Sequence, residues 1–199
     1  MVLVTSILVA YIIGSFPTAY LAGRYARGID IRQHGSGNMG TMNTKAVLGW
    51  HWAVIVFLLD VLKGILAVCL SYWSGADSLL MASAAAAGHC YPIWLRFKGG
   101  KAMATALGAI ITIGDYWIIA VFAAGWILML LYYRFAPVLT KKFGQLTPPN
   151  PARFSDRANL LGIATLMVFA FLSGPDWWLV SLTVIIVSRL LQSLFTSIH

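Results

Sequence analysis

Charge is scarce in this chain. Only 10% of its 199 residues are Asp, Glu, Lys or Arg, while 60% are hydrophobic; ordinary soluble domains carry roughly 25% charged residues. That deficit excludes a soluble globular domain and predicts a membrane protein. Cysteine is almost absent as well. Cys69 and Cys90 both sit in apolar stretches, which excludes a disulfide framework and a metal site of Cys/His spacing. No internal repeat is visible, and no nucleotide P-loop, because the glycine four residues before the Gly-Lys pair and the preceding strand are both missing. A basic n-region is also missing ahead of the first apolar run, which continues into Arg24 and Arg27, so that run is expected to be a retained span and not a signal peptide.

What is present is a series of long apolar runs. Breaking the chain at its polar and Gly/Pro-rich interruptions predicts seven spans, at about 2–22, 50–72, 78–95, 102–113, 116–133, 158–173 and 177–195. A membrane helix needs about 20 apolar residues, so the fourth is short, either tilted against a partner or half-penetrating. The expectation is an all-α integral membrane protein with one domain over 1–199 and no sizeable soluble part.

Basic residues alternate between the loops. The first loop holds Arg24, Arg27, Arg32 and Lys45, the third Arg96, Lys98 and Lys101, and the fifth Arg134, Lys141, Lys142, Arg153 and Arg157; the even loops hold none. By the positive-inside rule the odd loops and the C-terminus face the cytoplasm and the N-terminus faces out. The net charge of +8 is thereby explained as topology, and nucleic acid is not expected as a partner.

Two of the cytoplasmic loops are rich in glycine. The first reads HGSGNMGTMN (34–43), a backbone able to turn tightly and gather several N–H groups in one concavity, as phosphate sites do. Turn formation alone explains the same composition. The third loop ends in FKGGKAMAT (97–105). Gly99 and Gly100 are expected to open the fourth helix, where free N–H groups and the positive dipole end favour an anion, with Lys98 and Lys101 adding full charges. Two lysines at a helix end also serve as topology markers. The pair of loops on one face favours a pocket for two phosphates. His89 is read two ways, as a satisfied core residue or as a group orienting a ligand or loop. Asp60 and Lys63 are three residues apart on one helical face, and at this depth they require each other or a polar cavity; a structural ion pair near the pocket is expected.

The stretches GSFPTAYL (14–21), SGNMGTMN (36–43), FLLDVLKG (57–64) and GHCYPIWLRFKGGKAMATALG (88–108) resemble, in that order, the bacterial acyl-phosphate:glycerol-3-phosphate acyltransferases. The resemblance covers roughly the first 110 residues. It implies a seven-helix enzyme of the bacterial inner membrane, multi-pass, with its active site on the cytoplasmic face. The implied reaction moves a fatty acyl group from acyl phosphate to the 1-hydroxyl of glycerol 3-phosphate, giving lysophosphatidic acid and phosphate. It requires no metal, nucleotide, coenzyme A or other cofactor and no obligatory protein partner, only the two substrates and membrane lipids. By family position Ser36, Gly37, Asn38, Gly40 and Asn43 line one phosphate site and Gly99, Gly100, Lys101 and Thr105 the other, with Lys98 beside it. Lys101, His89 and Ser36 are assigned to the chemistry.

Three positions depart from the family pattern. Where the helix after the first glycine loop usually carries an arginine three residues before a glycine, this chain has Ala46, preceded by Lys45. Lysine restores the charge without the bidentate fork. Ser155, in Arg153–Ser155, is the candidate for a serine before the sixth span. A closing His-Arg-x-Asn segment is replaced by VSRLLQSLFTSIH, with Arg189 and Gln192 near its place. The acyl-phosphate half is therefore intact and the acceptor half altered, which leaves two further readings open: acyl transfer to a different hydroxyl acceptor, and a non-catalytic anion or lipid transporter. The proton acceptor is either His89 or a phosphate of the acceptor substrate.

Overall fold

The computed structural model describes residues 2–114 together with 116, 120, 123, 127 and 131, and every regular element in that part is helical. The helices are α1 (Val2–Ser15), α2 (Thr18–Arg27), α3 (Thr41–Leu48), α4 (Trp50–Ser74), α5 (Ser78–Cys90) and α6 (Met103–Ile113), with single 3₁₀ turns at Ile31–Gln33 and Ile93–Leu95. The expected spans at 158–173 and 177–195, and most of 116–133, lie outside the described residues.

The first span differs from the continuous helix expected at 2–22. Pro17 has no N–H to give the preceding turn, so α1 stops at Ser15 and α2 restarts with Leu21 N–H bonded to the Pro17 carbonyl at 3.0 Å. The second helix also runs further than expected. It ends in Arg24 and Arg27, whose charges suit a helix C-terminus, and closes on Gly28 at φ 67°, with the Gly28 N–H donating to the Arg24 carbonyl at 3.1 Å. The third span is likewise corrected. Asp77 Oδ1 caps its start by accepting from Leu80 N–H at 2.8 Å, but the helix ends at Cys90 instead of reaching 95, because Pro92 cannot continue it.

Small residues set the packing. A Cβ on Gly14 would overlap the Ala85 carbonyl, and one on Gly88 the Tyr11 carbonyl, so α1 and α5 meet backbone to backbone. Gly64 and Gly108 do the same for α4 and α6, against the carbonyls of Thr105 and Val61. Close approach through small residues is how helices associate when apolar burial offers no drive. Tyr11 adds a polar latch, its hydroxyl donating to the Tyr91 carbonyl at 2.6 Å.

Apolar side chains cover the outer faces. Leu3, Leu8 and Ile12 on α1 and Ile55, Leu58, Leu62 and Leu66 on α4 are all exposed, a distribution suited to lipid. Among the described residues, two segments, Val2–Arg27 and Trp50–Ser74, are long and apolar enough to cross a membrane. With 11 residues, α6 is only about 16 Å long, short of a ~30 Å hydrocarbon core, as expected for the fourth span. The starts of α2 and α6 and the end of α5 converge beside the middle of α4.

Candidate active site

The first glycine loop is built around a side chain. Asn43, on the first turn of α3 and 3% exposed, accepts from Ser36 N–H through Oδ1 at 2.8 Å. Its amide nitrogen donates to the carbonyls of Ile31 and His34 at 3.2 and 3.1 Å. Both amide hydrogens are thus engaged inside the loop, which places Asn43 as its brace. Gly37, at φ 71°, donates its N–H to the His34 carbonyl at 3.1 Å. Ser36 itself is exposed, with its hydroxyl at the loop surface, and Asn38 and Gly40 are half-buried beside it. Gly40 forms the N-cap of α3, so the amides of Thr41 and Met42 have no partner within the helix.

The second loop is tied to the end of α5 and not to the start of α6. Gly99 N–H donates to the Cys90 carbonyl at 3.0 Å and Gly100 N–H to the His89 carbonyl at 3.1 Å. The expectation that these glycines open the fourth helix with free amides is therefore corrected. The helix begins at Met103, after Ala102 at φ 56°, and the unpaired first-turn amides move three residues along. Lys101 is half-buried between the glycines and this helix start, while Lys98 is exposed.

The two loops meet. A Cβ on Gly100 would lie 2.8 Å from the Met39 carbonyl oxygen and would overlap His89 Nε2, so only glycine permits this approach. Arg32 ties the loops a second time, its guanidinium donating to the Leu95 carbonyl at 3.3 Å while pairing with Asp30 at 2.7 Å. The hydrogen bond from Arg32 holds the Asp30 carboxyl below the usual carboxylate range against the opposing push of burial, and the carboxylate in turn raises Arg32. Tyr20 lies between Arg24 and Arg32, whose guanidinium carbons are 5.3 and 5.4 Å from its ring centre.

Beneath the junction lies a buried charged cluster. Lys63 Nζ donates to Asp60 Oδ1 at 2.7 Å and to Thr18 Oγ1 at 3.3 Å, and Thr18 Oγ1 donates to the same carboxylate oxygen at 2.5 Å. Asp60 is 1% and Lys63 5% exposed, so each charge depends on the other. His89 Nδ1 lies 3.7 Å from Asp60 Oδ1 and 3.1 Å from Thr105 Oγ1. A small pocket opens here, lined by Ser15, Thr18, Met39, Lys63 and His89 at the break of the first span. The buried Ser15 hydroxyl at its wall has no hydrogen-bond partner among the described residues.

Most of the expected residues are brought together: Gly100 meets the first loop at Met39 with Gly99 and Lys101 on either side of it in the chain, and His89 and Thr105 lie behind it against Asp60 and Lys63. Lys45 turns away, exposed, with Nζ 5.4 Å from the centre of the Trp50 ring. Ser155 and Arg189 lie outside the described residues. Sequence reasoning did not single out Thr18, Asp30 or Arg32. The DxR spacing just ahead of the glycine loop, and a hydroxyl directly after the proline of the first span, were the available signals. No group of three or more His, Cys, Asp or Glu side chains suited to a metal occurs among the described residues.

Comparison with known proteins follows the same lines. The family described as Glycerol-3-phosphate acyltransferase matches residues 4–194. A glycerol-3-phosphate acyltransferase of Synechococcus elongatus is 42% identical over 136 residues, covering 63% of this chain and 65% of that protein. One from Prochlorococcus marinus is 46% identical over 128 residues, 62% of this chain and 64% of that protein. The chain thus matches just under two thirds of the length of these relatives. The crystal structure of PlsY (YgiH), an integral membrane glycerol 3-phosphate acyltransferase, in its glycerol 3-phosphate form superimposes with a TM-score of 0.71 at 25% identity, over 98% of this chain and 91% of that one. Its lysophosphatidic acid form superimposes at 0.69 and 24% identity.

Proposed function

The chain belongs to the glycerol-3-phosphate acyltransferase family, and from that premise we propose that it transfers a fatty acyl group from acyl phosphate to the 1-hydroxyl of glycerol 3-phosphate, releasing lysophosphatidic acid and inorganic phosphate. The observation that carries the proposal is the junction of the two glycine loops at Gly100 and Met39, with Lys101 on its rim and a buried charged cluster beneath. Acyl phosphate already contains a good leaving group. The protein has to hold two anions in line and stabilise charge as it develops, which positioning and oriented donors achieve without metal or cofactor.

In this reading Lys101 and the first-turn amides of α6 hold the acyl phosphate, Ser36 and the loop beside it hold a second phosphate, and Gly99, Gly100 and Thr105 shape the site through His89. Gly37, Asn38, Gly40 and Lys98 complete its rim, with Ser155 and Arg189 on the acceptor side. The whole chain forms one domain of seven spans in a bacterial inner membrane, N-terminus outside, with the junction at the cytoplasmic surface. The exposed apolar faces of α1 and α4 support lipid contact, where the acyl chain lies between helices.

A second reading, with a different hydroxyl acceptor, is favoured by one observation. Lys45 stands near the place of the family's arginine but is stacked on Trp50 and exposed. Purified protein in detergent, given acyl phosphate and a panel of polyol phosphates, tests both. Release of phosphate with glycerol 3-phosphate as the best acceptor supports the first reading, a different ranking supports the second, and no release with any acceptor overturns both.

A further inference from the structure

We propose that Asp60 is a positioning residue that keeps the His89 proton on Nδ1, so that the unprotonated Nε2 faces the junction of the two glycine loops. The cluster draws on four helices. Thr18 begins α2, Asp60 and Lys63 lie in the middle of α4, His89 stands one residue before the end of α5, and Thr105 sits in the first turn of α6. On one edge of the imidazole, Nδ1 faces Thr105 Oγ1 at 3.1 Å and Asp60 Oδ1 at 3.7 Å. On the other edge, Nε2 is pressed against Gly100.

The carboxylate decides between the two neutral tautomers. A bare Nδ1 would direct its lone pair at a carboxylate oxygen 3.7 Å away in a buried setting, where like-signed partial charges repel strongly. A protonated Nδ1 instead donates to Thr105 Oγ1 and is attracted by the same oxygen. The threonine hydroxyl can serve as acceptor here because its own hydrogen rotates freely. Asp60 is itself held in place by Lys63 and Thr18, which bond the oxygen nearest the ring. An acceptor that orients a histidine through its far nitrogen also sets which nitrogen is basic. The ring thereby braces the Gly100 backbone and Lys101 beside it, and presents a hydrogen-bond acceptor at the place where the two loops meet.

The tautomer is independent of the acyl-transfer reading, whereas its kinetic consequence rests on it. The test is two-bond ¹H–¹⁵N correlation spectroscopy of the full chain in detergent with ¹⁵N-histidine, His89 being assigned by its loss in His89→Gln. The expected result in the unsubstituted protein is a neutral ring with Nδ1 protonated. In Asp60→Asn the two tautomers mix, and kcat for phosphate release falls by about ten- to a hundredfold with KM for acyl phosphate nearly unchanged. A proton on Nε2 or on both nitrogens in the unsubstituted protein, or an unaltered tautomer in Asp60→Asn, overturns the proposal. Since the first of these measurements needs no substitution at Asp60, it decides even where that variant fails to fold. Absence of phosphate release from the unsubstituted protein would strike the acyltransferase reading alone.

Discussion

Gly100 packs directly on His89: a Cβ at position 100 would overlap the imidazole Nε2 and press on the Met39 carbonyl oxygen. The consequence is local and steep. Gly100→Ala displaces either the ring or the loop carrying Lys101, and a misplacement of about 1 Å near reacting groups costs roughly a hundredfold. Phosphate release is expected to fall by at least that factor while the purified variant keeps its monodisperse profile in detergent.

The two lysines of the second loop are expected to separate. Lys101 is half-buried at the junction and Lys98 exposed. Truncating Lys101 to alanine should lower phosphate release by about 10²-fold or more, whereas Lys98→Ala should act mainly on KM, as loss of a solvated attracting charge does. Steady-state kinetics of the two variants side by side check this; equal losses would remove the distinction.

Asp60 and Lys63 should reveal their dependence in a double-mutant cycle. Removing one partner leaves a buried charge unpaired, so Asp60→Leu and Lys63→Met are each expected to destabilise by about 3–5 kcal/mol. The double variant should lose less than the sum, measured by thermal unfolding in detergent. Strict additivity would mean that the pair does not interact in the folded protein.

Asp30 carries a pH signature. Its carboxyl titrates below the ordinary value of about 3.9 because Arg32 bonds the charged form. The stabilisation is therefore complete above the unfolded value and disappears as pH falls through the lower folded value. Asp30→Asn should lower Tm at pH 7 through a loss of about 1 kcal/mol for this partly solvated pair. As pH falls below the lowered folded value the gap between the two proteins should close. A gap independent of pH would assign the effect to packing and not to charge.

Gly88→Val is expected to abolish the α1–α5 contact, because its new side chain would meet the Tyr11 carbonyl and the Ser15 amide, the latter 2.8 Å from a Cβ at that position. The observable is loss of the monodisperse species on size exclusion in detergent. An unchanged profile would show that the two helices can separate without cost.

Legibility followed distance along the chain. The 25 residues of α4 form a mainly apolar run whose only Asp, Glu, Lys or Arg residues are a pair at i and i+3, so both the helix and the Asp60–Lys63 pairing were readable. The family resemblance, carried by four short motifs, agrees with the match over residues 4–194. The break at Pro17 stood in plain view within GSFPTAYL, but the apolar character of both flanks masked it. The role of Asn43 was not legible, because a Gly/Asn-rich loop is equally compatible with an amide that faces a ligand and one that holds its own backbone.

The residues alone determined where apolar helices run, where glycine permits tight turns and which charges share a helical face, since these depend on backbone periodicity over a few positions. Only the tertiary structure decided that Met39 and Gly100 touch, that the amides of Gly99 and Gly100 are already engaged by α5, and that His89 lies beside Asp60. Such contacts join segments tens of residues apart. They arise because glycines let helices approach backbone to backbone and because buried charges must find partners, conditions that no local stretch of sequence contains.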